Sequence, residues 1–397
     1  MARIIIITGK GGVGKSSVAA AHALKSAKDG VKTLLVSTDM AHNIADIFQK
    51  PVGGKITLLT DYLYGLEMDP DQVMKEEFPD MNRSIAAMFS EAGLMANKMG
   101  DDMIFPGFDD LFCLLKIGKI YQRGEFERII VDCAPTGETL SLLKLPELLA
   151  WYMEKFFPVG KTMVRILSPI SKWRYHVNLP STEGMNDIEK MHQKLMELER
   201  MLKDENVCSV RLVATPERMV VEETKRNFMY LNLYGYQVDG LFINRMIPEQ
   251  VDHPFFQTWK KTQGKYVEEL EAVFAALPIT RIPWYAQEVR GLEAVEMMVE
   301  KTFAKDELFA LRAHSAQETY EIVDGSYCLV MEIPGVRAEE LSIECHGLDL
   351  DIVLHNFQRR IPLPNTLRGS FVDNVKIEGD QVRVFFQKKE EETPCES

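Results

Sequence analysis

Arg3-Ile4-Ile5-Ile6-Ile7-Thr8-Gly9-Lys10-Gly11-Gly12-Val13-Gly14-Lys15-Ser16 decides the fold class. Ile4 to Ile7 form an unbroken β-branched run, the pattern of a strand buried on both faces of a parallel sheet. Residues 9–16 fit GxxxxGK[ST], and they follow that strand and open a helix-like stretch, the context this motif needs. Its glycines let successive backbone N–H groups turn inward around phosphate oxygens. Lys15 is spaced to reach the β- and γ-phosphates, and the Ser16 hydroxyl to ligate Mg²⁺. The helix N-terminus adds positive potential of its own. Gly9, Lys10, Gly11, Gly12, Val13, Gly14, Lys15, Ser16 and Ser17 are the candidate nucleotide-binding residues.

Outward from this loop, residues 31–36, 128–131, 209–214 and 238–243 are further strand-like runs, with helical segments between them. That alternation predicts a doubly wound α/β domain with a mostly parallel sheet over 1–308. Helical insertions at about 70–125 and 147–205 interrupt it. In the second, Leu148, Tyr152 and Phe156 share a helix face, with Leu149 and Met153 beside them. Ile188, Met191, Leu195, Leu198 and Leu202 repeat at 3-4-3-4 spacing, which predicts an amphipathic helix. Of 21 methionines, 13 lie between Met68 and Met201, and methionine surfaces adapt to varied apolar ligands.

After residue 308 the texture changes. Residues 309–319 read as a linker. Over 320–389, Leu329 and Met331, then Leu350, Ile352 and Leu354, then Val382, Val384 and Phe386 alternate with polar residues between Pro and Gly punctuation. This predicts a small all-β sandwich, followed by a charged tail at 390–397.

The balance of 46 basic against 59 acidic side chains leaves a net charge of −13, which disfavours nucleic acid as a partner. Six cysteines, at 113, 133, 208, 328, 345 and 395, include no CxxC pair, so zinc is not expected. Scattered thiols, an N-terminus that runs straight into a strand and the lack of any 18-residue apolar stretch predict a cytoplasmic chain.

Lys10 marks a resemblance. A lysine just after the first glycine is similar to the signature-lysine P-loop group, in which it reaches across a dimer interface to the partner's phosphates. A solvated surface lysine is the plainer reading. Ser37-Thr38-Asp39-Met40-Ala41-His42-Asn43 resembles that group's switch I motif DPAHN. Asp132-Cys133-Ala134-Pro135-Thr136-Gly137-Glu138-Thr139-Leu140 resembles its switch II motif DTAPTGHT. Ile282-Pro283-Trp284 and Glu288-Val289-Arg290-Gly291 resemble a late proline and Val-Arg-Gly stretch. Together these resemble the family of arsenite-pump ATPases and tail-anchored-protein targeting ATPases over about 1–305.

By that resemblance Asp39 orients or deprotonates the attacking water, with Lys10 and Lys15 as its catalytic partners. Asp132 holds Mg²⁺ through water, Asn244 reads the adenine, and Pro283 packs against it. The resemblance also implies a homodimer and a hydrophobic protein client or transmembrane segment, with a membrane receptor as a further partner. Leu148, Leu149, Tyr152, Met153, Phe156, Phe157, Met163 and Ile166 are candidate lining residues of the client groove; core packing is the alternative for each. The sequence departs from the family at Met40, where proline is usual, at Glu138, where histidine is usual, and at Phe255 to Trp259, where the eukaryotic targeting ATPases carry a zinc-binding CxxC. His42 reads as a switch I hydrogen-bonder or a catalytic group. Cys133 reads as a small buried residue or a redox-sensitive one.

Residues 320–389 resemble an α-crystallin domain: Glu332-Ile333-Pro334-Gly335-Val336, Arg359-Arg360-Ile361-Pro362-Leu363-Pro364 and Gly379-Asp380-Gln381-Val382 carry the likeness. The short segment after Leu354 has no room for the strand that bacterial and plant members exchange between subunits. The function expected is a dimeric ATPase that couples ATP and Mg²⁺ turnover to opening and closing of a hydrophobic client groove. The alternative is the catalytic subunit of an arsenite or anion pump.

Overall fold

A computed structural model describes residues 2–38, 43–78, 108–133, 182–304, 306–310, 318–323, 326–346, 349–367 and 369–388. In chain order the described elements are β1 (Arg3–Thr8), α1 (Lys15–Lys28), β2 (Thr33–Ser37), α2 (Asn43–Phe48), β3 (Thr57–Thr60), β4 (Leu63–Glu67), α3 (Pro70–Glu77), α4 (Phe108–Arg123), β5 (Arg128–Asp132), α5 (Thr182–Lys203) and β6 (Cys208–Ala214). There follow α6 (Arg218–Leu233), β7 (Val238–Met246), α7 (Pro254–Val273), β8 (Ile279–Pro283) and α8 (Leu292–Thr302). The C-terminal strands are β9 (Thr319–Val323), β10 (Ser326–Glu332), β11 (Leu341–His346), β12 (Asp349–Leu354), β13 (Phe357–Pro362), β14 (Ser370–Glu378) and β15 (Gln381–Lys388). They fall into two compact units: Met1–Val213 with Tyr285–Ala310, and Ala214–Trp284 with Leu311–Ser397.

In the first unit strands hydrogen-bond in the order β3-β4-β2-β5-β1-β6. All these pairings are parallel except β3 with β4. The β-branched run at Ile4 to Ile7 is fully buried, as its pattern predicts. Each such side chain contributes roughly 1.5–3 kcal/mol by leaving water. The alanines of α1 are buried too; lacking bulk, they let this helix lie close to the strands. Lys25 and Lys28 occupy its last turn, and Lys25 bonds Asp29 at 2.5 Å, matching cations to the negative helix end. α8 packs on α1, where Lys28 meets Glu296 at 3.1 Å. In α5, Leu195, Leu198 and Leu202 of the stripe that the 3-4 spacing predicts are buried; the side chains of Ile188 and Met191 lie outside the described residues.

Sequence reading did not find β3, β4 or β8. β3 and β4 are four and five residues long, too short for alternation to stand out, and Gly65 breaks the apolar pattern of β4. What fixes β4 is its parallel register with β2 and the buried Glu67, whose carboxylate accepts from the Ala45 N–H at 2.9 Å.

The second unit pairs β7 with β8 in parallel. Its C-terminal part is antiparallel throughout, with one sheet ordered β14-β15-β10-β9 and a second ordered β11-β12-β13. Leu329, Leu350, Ile352, Leu354, Val382 and Val384 are fully buried in this sandwich. β12 and β13 join through a two-residue turn at His355 and Asn356, with Leu354 opposite Phe357. The strand therefore begins two residues before the arginine motif at Arg359. β13 packs against the end of α6. The Tyr230 and Phe357 ring centroids lie 3.8 Å apart, and the Tyr234 hydroxyl donates to the Gln358 carbonyl at 3.1 Å. Buried Arg359 donates to the Leu233 carbonyl and pairs with Glu318.

Candidate nucleotide site

The loop at 9–16 leaves β1 at the C-terminal edge of the parallel strands and enters α1 directly. Gly9 is dictated by space: a Cβ there would stand 2.2 Å from the Val213 carbonyl oxygen. Gly14 caps α1 with φ 92°, a left-handed conformation glycine adopts without strain. No side chain caps this helix, so its first N–H groups are left for an anion. Val13 is buried under the loop, while Gly11 and Gly12 are exposed at its tip. Lys15 is buried, and its ammonium donates to the Lys10 carbonyl at 3.4 Å. That long bond is weak, so a phosphate oxygen can replace it at little cost. Lys10, Ser16 and Ser17 are half-buried.

Asp132 closes β5, one strand away. It lies opposite Ile7 on β1 and Ser37 on β2, and it is 1% exposed. The Thr38 N–H donates to the Asp132 carbonyl at 3.1 Å, and the Cys133 N–H to that of Ile7. Three parallel strand ends thus gather the phosphate loop, the buried acid and the start of the segment that carries Asp39. Cys133 itself is buried. Asp39, Met40, Ala41, His42 and residues 134–140 lie outside the described residues. So do all eight candidate groove residues, Leu148, Leu149, Tyr152, Met153, Phe156, Phe157, Met163 and Ile166.

On α1, His22 is fully buried, and its Nδ1 lies 2.7 Å from the Val18 carbonyl. Burial first, then the charge of Arg211, outweighs that bond, and with Arg128 holds the imidazole well below its ordinary value. Burial, with Arg3 and Arg211 beside it, also brings Arg128 down to about 10. The Arg128 guanidinium lies 3.8 Å from the centre of the Phe309 ring, and Arg211 donates to the Leu308 carbonyl at 2.7 Å.

Asn244 and Pro283 belong to the second unit. Asn244 is nearly buried on β7, and its Oδ1 accepts from the Arg245 N–H at 2.9 Å. Pro283 ends β8 opposite Met246. The late Val-Arg-Gly stretch lies in the first unit, where the Gly291 N–H caps onto the Ile47 carbonyl at 2.7 Å. Sequence reasoning missed Gln263 of α7, whose amide bonds the backbone on both sides of Met246. No motif marks it; only a polar residue on the strand-facing side of a helix after Asn244 hinted at it.

Among the described residues no group of three or more His, Cys, Asp or Glu is placed to hold a metal ion, and no helix is long and apolar enough to cross a membrane. A Mg²⁺ carried by nucleotide needs fewer protein donors, because it keeps waters and phosphate oxygens. Ser16 and the buried Asp132 are the hard oxygen donors that suit it.

A glycine loop that bares helix N–H groups, a lysine folded over it and an acid on the next strand define a P-loop ATPase. A family model described as an anion-transporting ATPase matches residues 2–303, and one described as an HSP20-like domain found in ArsA matches 324–386. The chain belongs to the anion-transporting ATPase family. It is 30% identical over 393 residues to “Putative arsenical pump-driving ATPase 1” of Aquifex aeolicus, covering 96% of this chain and 99% of that one. A like-named protein of Chlorobaculum tepidum is 31% identical over 371 residues, covering 92% of this chain and 91% of its own. “ATPase GET3” of Phaeosphaeria nodorum is 29% identical over 304 residues, covering 74% of this chain and 92% of its own. The α-crystallin resemblance of the C-terminal sandwich agrees with the HSP20-like match.

Proposed function

We propose that the chain is a cytoplasmic, Mg²⁺-dependent ATPase that works as a homodimer and uses ATP hydrolysis to open and close an apolar groove for hydrophobic or tail-anchored protein clients. The observation that carries this reading is the doubled lysine of the loop. Lys15 lies over its own loop, and Lys10, half-buried beside it, is the second lysine, which in this reading serves the phosphates of a second subunit. Hydrolysis then changes what Lys10 holds, and with it the angle between subunits.

In this reading the N–H groups of 9–16 bind the phosphates, Lys15 neutralises charge on the transferring group, and Asp39 orients or deprotonates the attacking water. Ser16 directly and Asp132 through water would hold Mg²⁺, which would supply charge stabilisation to the phosphate oxygens. The groove is the set from Leu148 to Ile166, in the methionine-rich third of the chain. Domain limits follow the composition: ATPase 1–308, linker 309–319, sandwich 320–389 and tail 390–397.

The test is retention of a hydrophobic helix peptide by the purified chain with Mg·ATP, Mg·ADP or no nucleotide, beside sedimentation of the Lys10→Ala variant. Nucleotide-dependent retention and a dimer weakened by Lys10→Ala are expected. Equal retention in all three states, with a strict monomer in Mg·ATP, would defeat the reading. A second reading, the driving subunit of an arsenical pump, is favoured by the names of two relatives. It predicts ATPase stimulation by arsenite or antimonite and none by the peptide.

A further inference from the structure

Asn244 sits in a bulge. β7 and β8 are in step at Ile243 and Arg281, and again at Met246 and Pro283, so β7 carries one extra residue between these points. Within it Arg245 has φ 57°, a left-handed conformation that costs a non-glycine residue about 1 kcal/mol. Such a conformation persists only where its surroundings hold it, and bulges commonly re-aim a side chain beside an active site.

Three sets of bonds hold this one. Asn244 Oδ1 accepts from the Arg245 N–H, and the Trp284 N–H donates to the Met246 carbonyl at 2.7 Å. The third comes from α7. Gln263 Oε1 accepts from the Ile247 N–H at 3.0 Å, and its Nε2 donates to the Arg245 carbonyl at 3.2 Å. One primary amide therefore satisfies the donor and the acceptor that flank Met246, as a neighbouring strand would. Only a side chain offering both groups can do this.

We propose that Gln263 is a positioning residue for base selection, fixing the 245–247 backbone so that Asn244 keeps the orientation that meets the edge of adenine. The inference rests on the assignment of Asn244 to the base. At the 6-position adenine presents an amino donor where guanine presents a carbonyl acceptor, so a side chain free to turn loses the distinction between them before it loses affinity for phosphate.

Steady-state hydrolysis of Mg·ATP and Mg·GTP by the full chain tests this in Asn244→Ala, Gln263→Leu and Gln263→Glu. Gln263→Leu removes both bonds; Gln263→Glu keeps the acceptor and sets a carboxylate against the Arg245 carbonyl. In both Gln263 variants KM for ATP is expected to rise about three- to tenfold, the worth of one or two hydrogen bonds, with kcat and the GTP constants little changed. The ATP-to-GTP ratio of kcat/KM then shrinks, and because it is a ratio within one sample, a partly unfolded fraction cancels. A ratio lost in Asn244→Ala but intact in both Gln263 variants overturns the positioning role. A fall in kcat shared equally by ATP and GTP, a general structural effect, overturns it too. A ratio intact in Asn244→Ala overturns the base assignment beneath it.

Discussion

His22 makes the phosphate-loop helix sensitive to acid. It lies on α1, fully buried, with its ring 4.9 Å from Phe303 and 6.2 Å from Phe309. Burial and the charges of Arg211 and Arg128 oppose its protonation, so its folded value lies well below the ordinary 6.5. The sign follows from linkage: between those two values the unfolded chain binds a proton that the folded chain refuses, so stability falls as pH falls. Taking 6.5 for the unfolded group, its protonated fraction climbs from about a tenth to about nine-tenths between roughly pH 7.5 and pH 5.5. The folded state therefore loses stability over that interval, by on the order of 1 kcal/mol from this one residue. The assay is equilibrium urea unfolding at both pH values for wild type and His22→Leu, which keeps the apolar contacts and removes the titrating group. The chain has 8 histidines, so the quantity to read is the difference between the two proteins' pH dependences. His22→Leu should show the shallower loss, by on the order of 1 kcal/mol. Equal losses in the two proteins would refute the argument that α1 holds a neutral imidazole against two guanidiniums.

Gly9→Ala should abolish binding of a fluorescent ATP analogue and lower the melting temperature, because its Cβ meets the Val213 carbonyl at 2.2 Å and the backbone there cannot yield. Lys15→Ala should fold as wild type yet lose roughly a hundredfold or more in kcat, read by phosphate release. Glu77 on α3 joins Lys116 of α4 at 3.0 Å and Lys119 at 3.5 Å. Burial alone would raise its carboxyl, but the bond and charge of Lys116, followed by Lys119, hold it below the ordinary 4.5. The stabilisation from this pairing is therefore complete above 4.5 and lost as pH falls through the folded value; Glu77→Gln should remove that part of the acid transition in a melting series.

The sequence made the centre of the sheet legible because burial on both faces leaves an unbroken apolar run, as in Ile4 to Ile7 and Ile129 to Val131. The phosphate loop was legible for a related reason: one backbone geometry answers one ligand, and glycine is the residue that permits it, at Gly9 through space and at Gly14 through φ. The edge of the sheet was not. β3 and β8 are half-buried strands of four and five residues, in which tertiary pairing rather than local pattern settles the conformation. Asp349 and Asp351 alternate with the apolar residues of β12, yet both are buried, and Asp351 pairs with Arg360 across the β12–β13 ladder. A charge partner nine residues away hides that burial from any alternation rule. Gln263 escaped for the same reason, since its role exists only once the Asn244 bulge has formed.

Whether the C-terminal sandwich reaches the Asn244 bulge can be decided by additivity. Within the second unit β13 packs on α6 through Arg359, Tyr230 and Tyr234. α6 packs on α7, with Phe228 stacked on Phe274 at 4.5 Å and Lys225 bonded to Glu269 at 2.5 Å. α7 in turn carries Gln263. A run of contacts is not by itself a route for coupling; that requires an element with two arrangements which both ends bias. Arg359 bonds Leu233 and Glu318, while Gln263 bonds Arg245 and Ile247, and these bonds have no partner in common. Arg359→Leu should thus destabilise the chain by about 3 kcal/mol, the usual loss when one member of a buried ion pair is removed, and leave KM for ATP within twofold. Combined with Gln263→Leu, its effects on unfolding and on KM should add within about 0.5 kcal/mol. A larger departure, or a KM for ATP that moves in Arg359→Leu alone, would mean that sandwich, α6 and α7 shift as one body and that the sandwich regulates the nucleotide site.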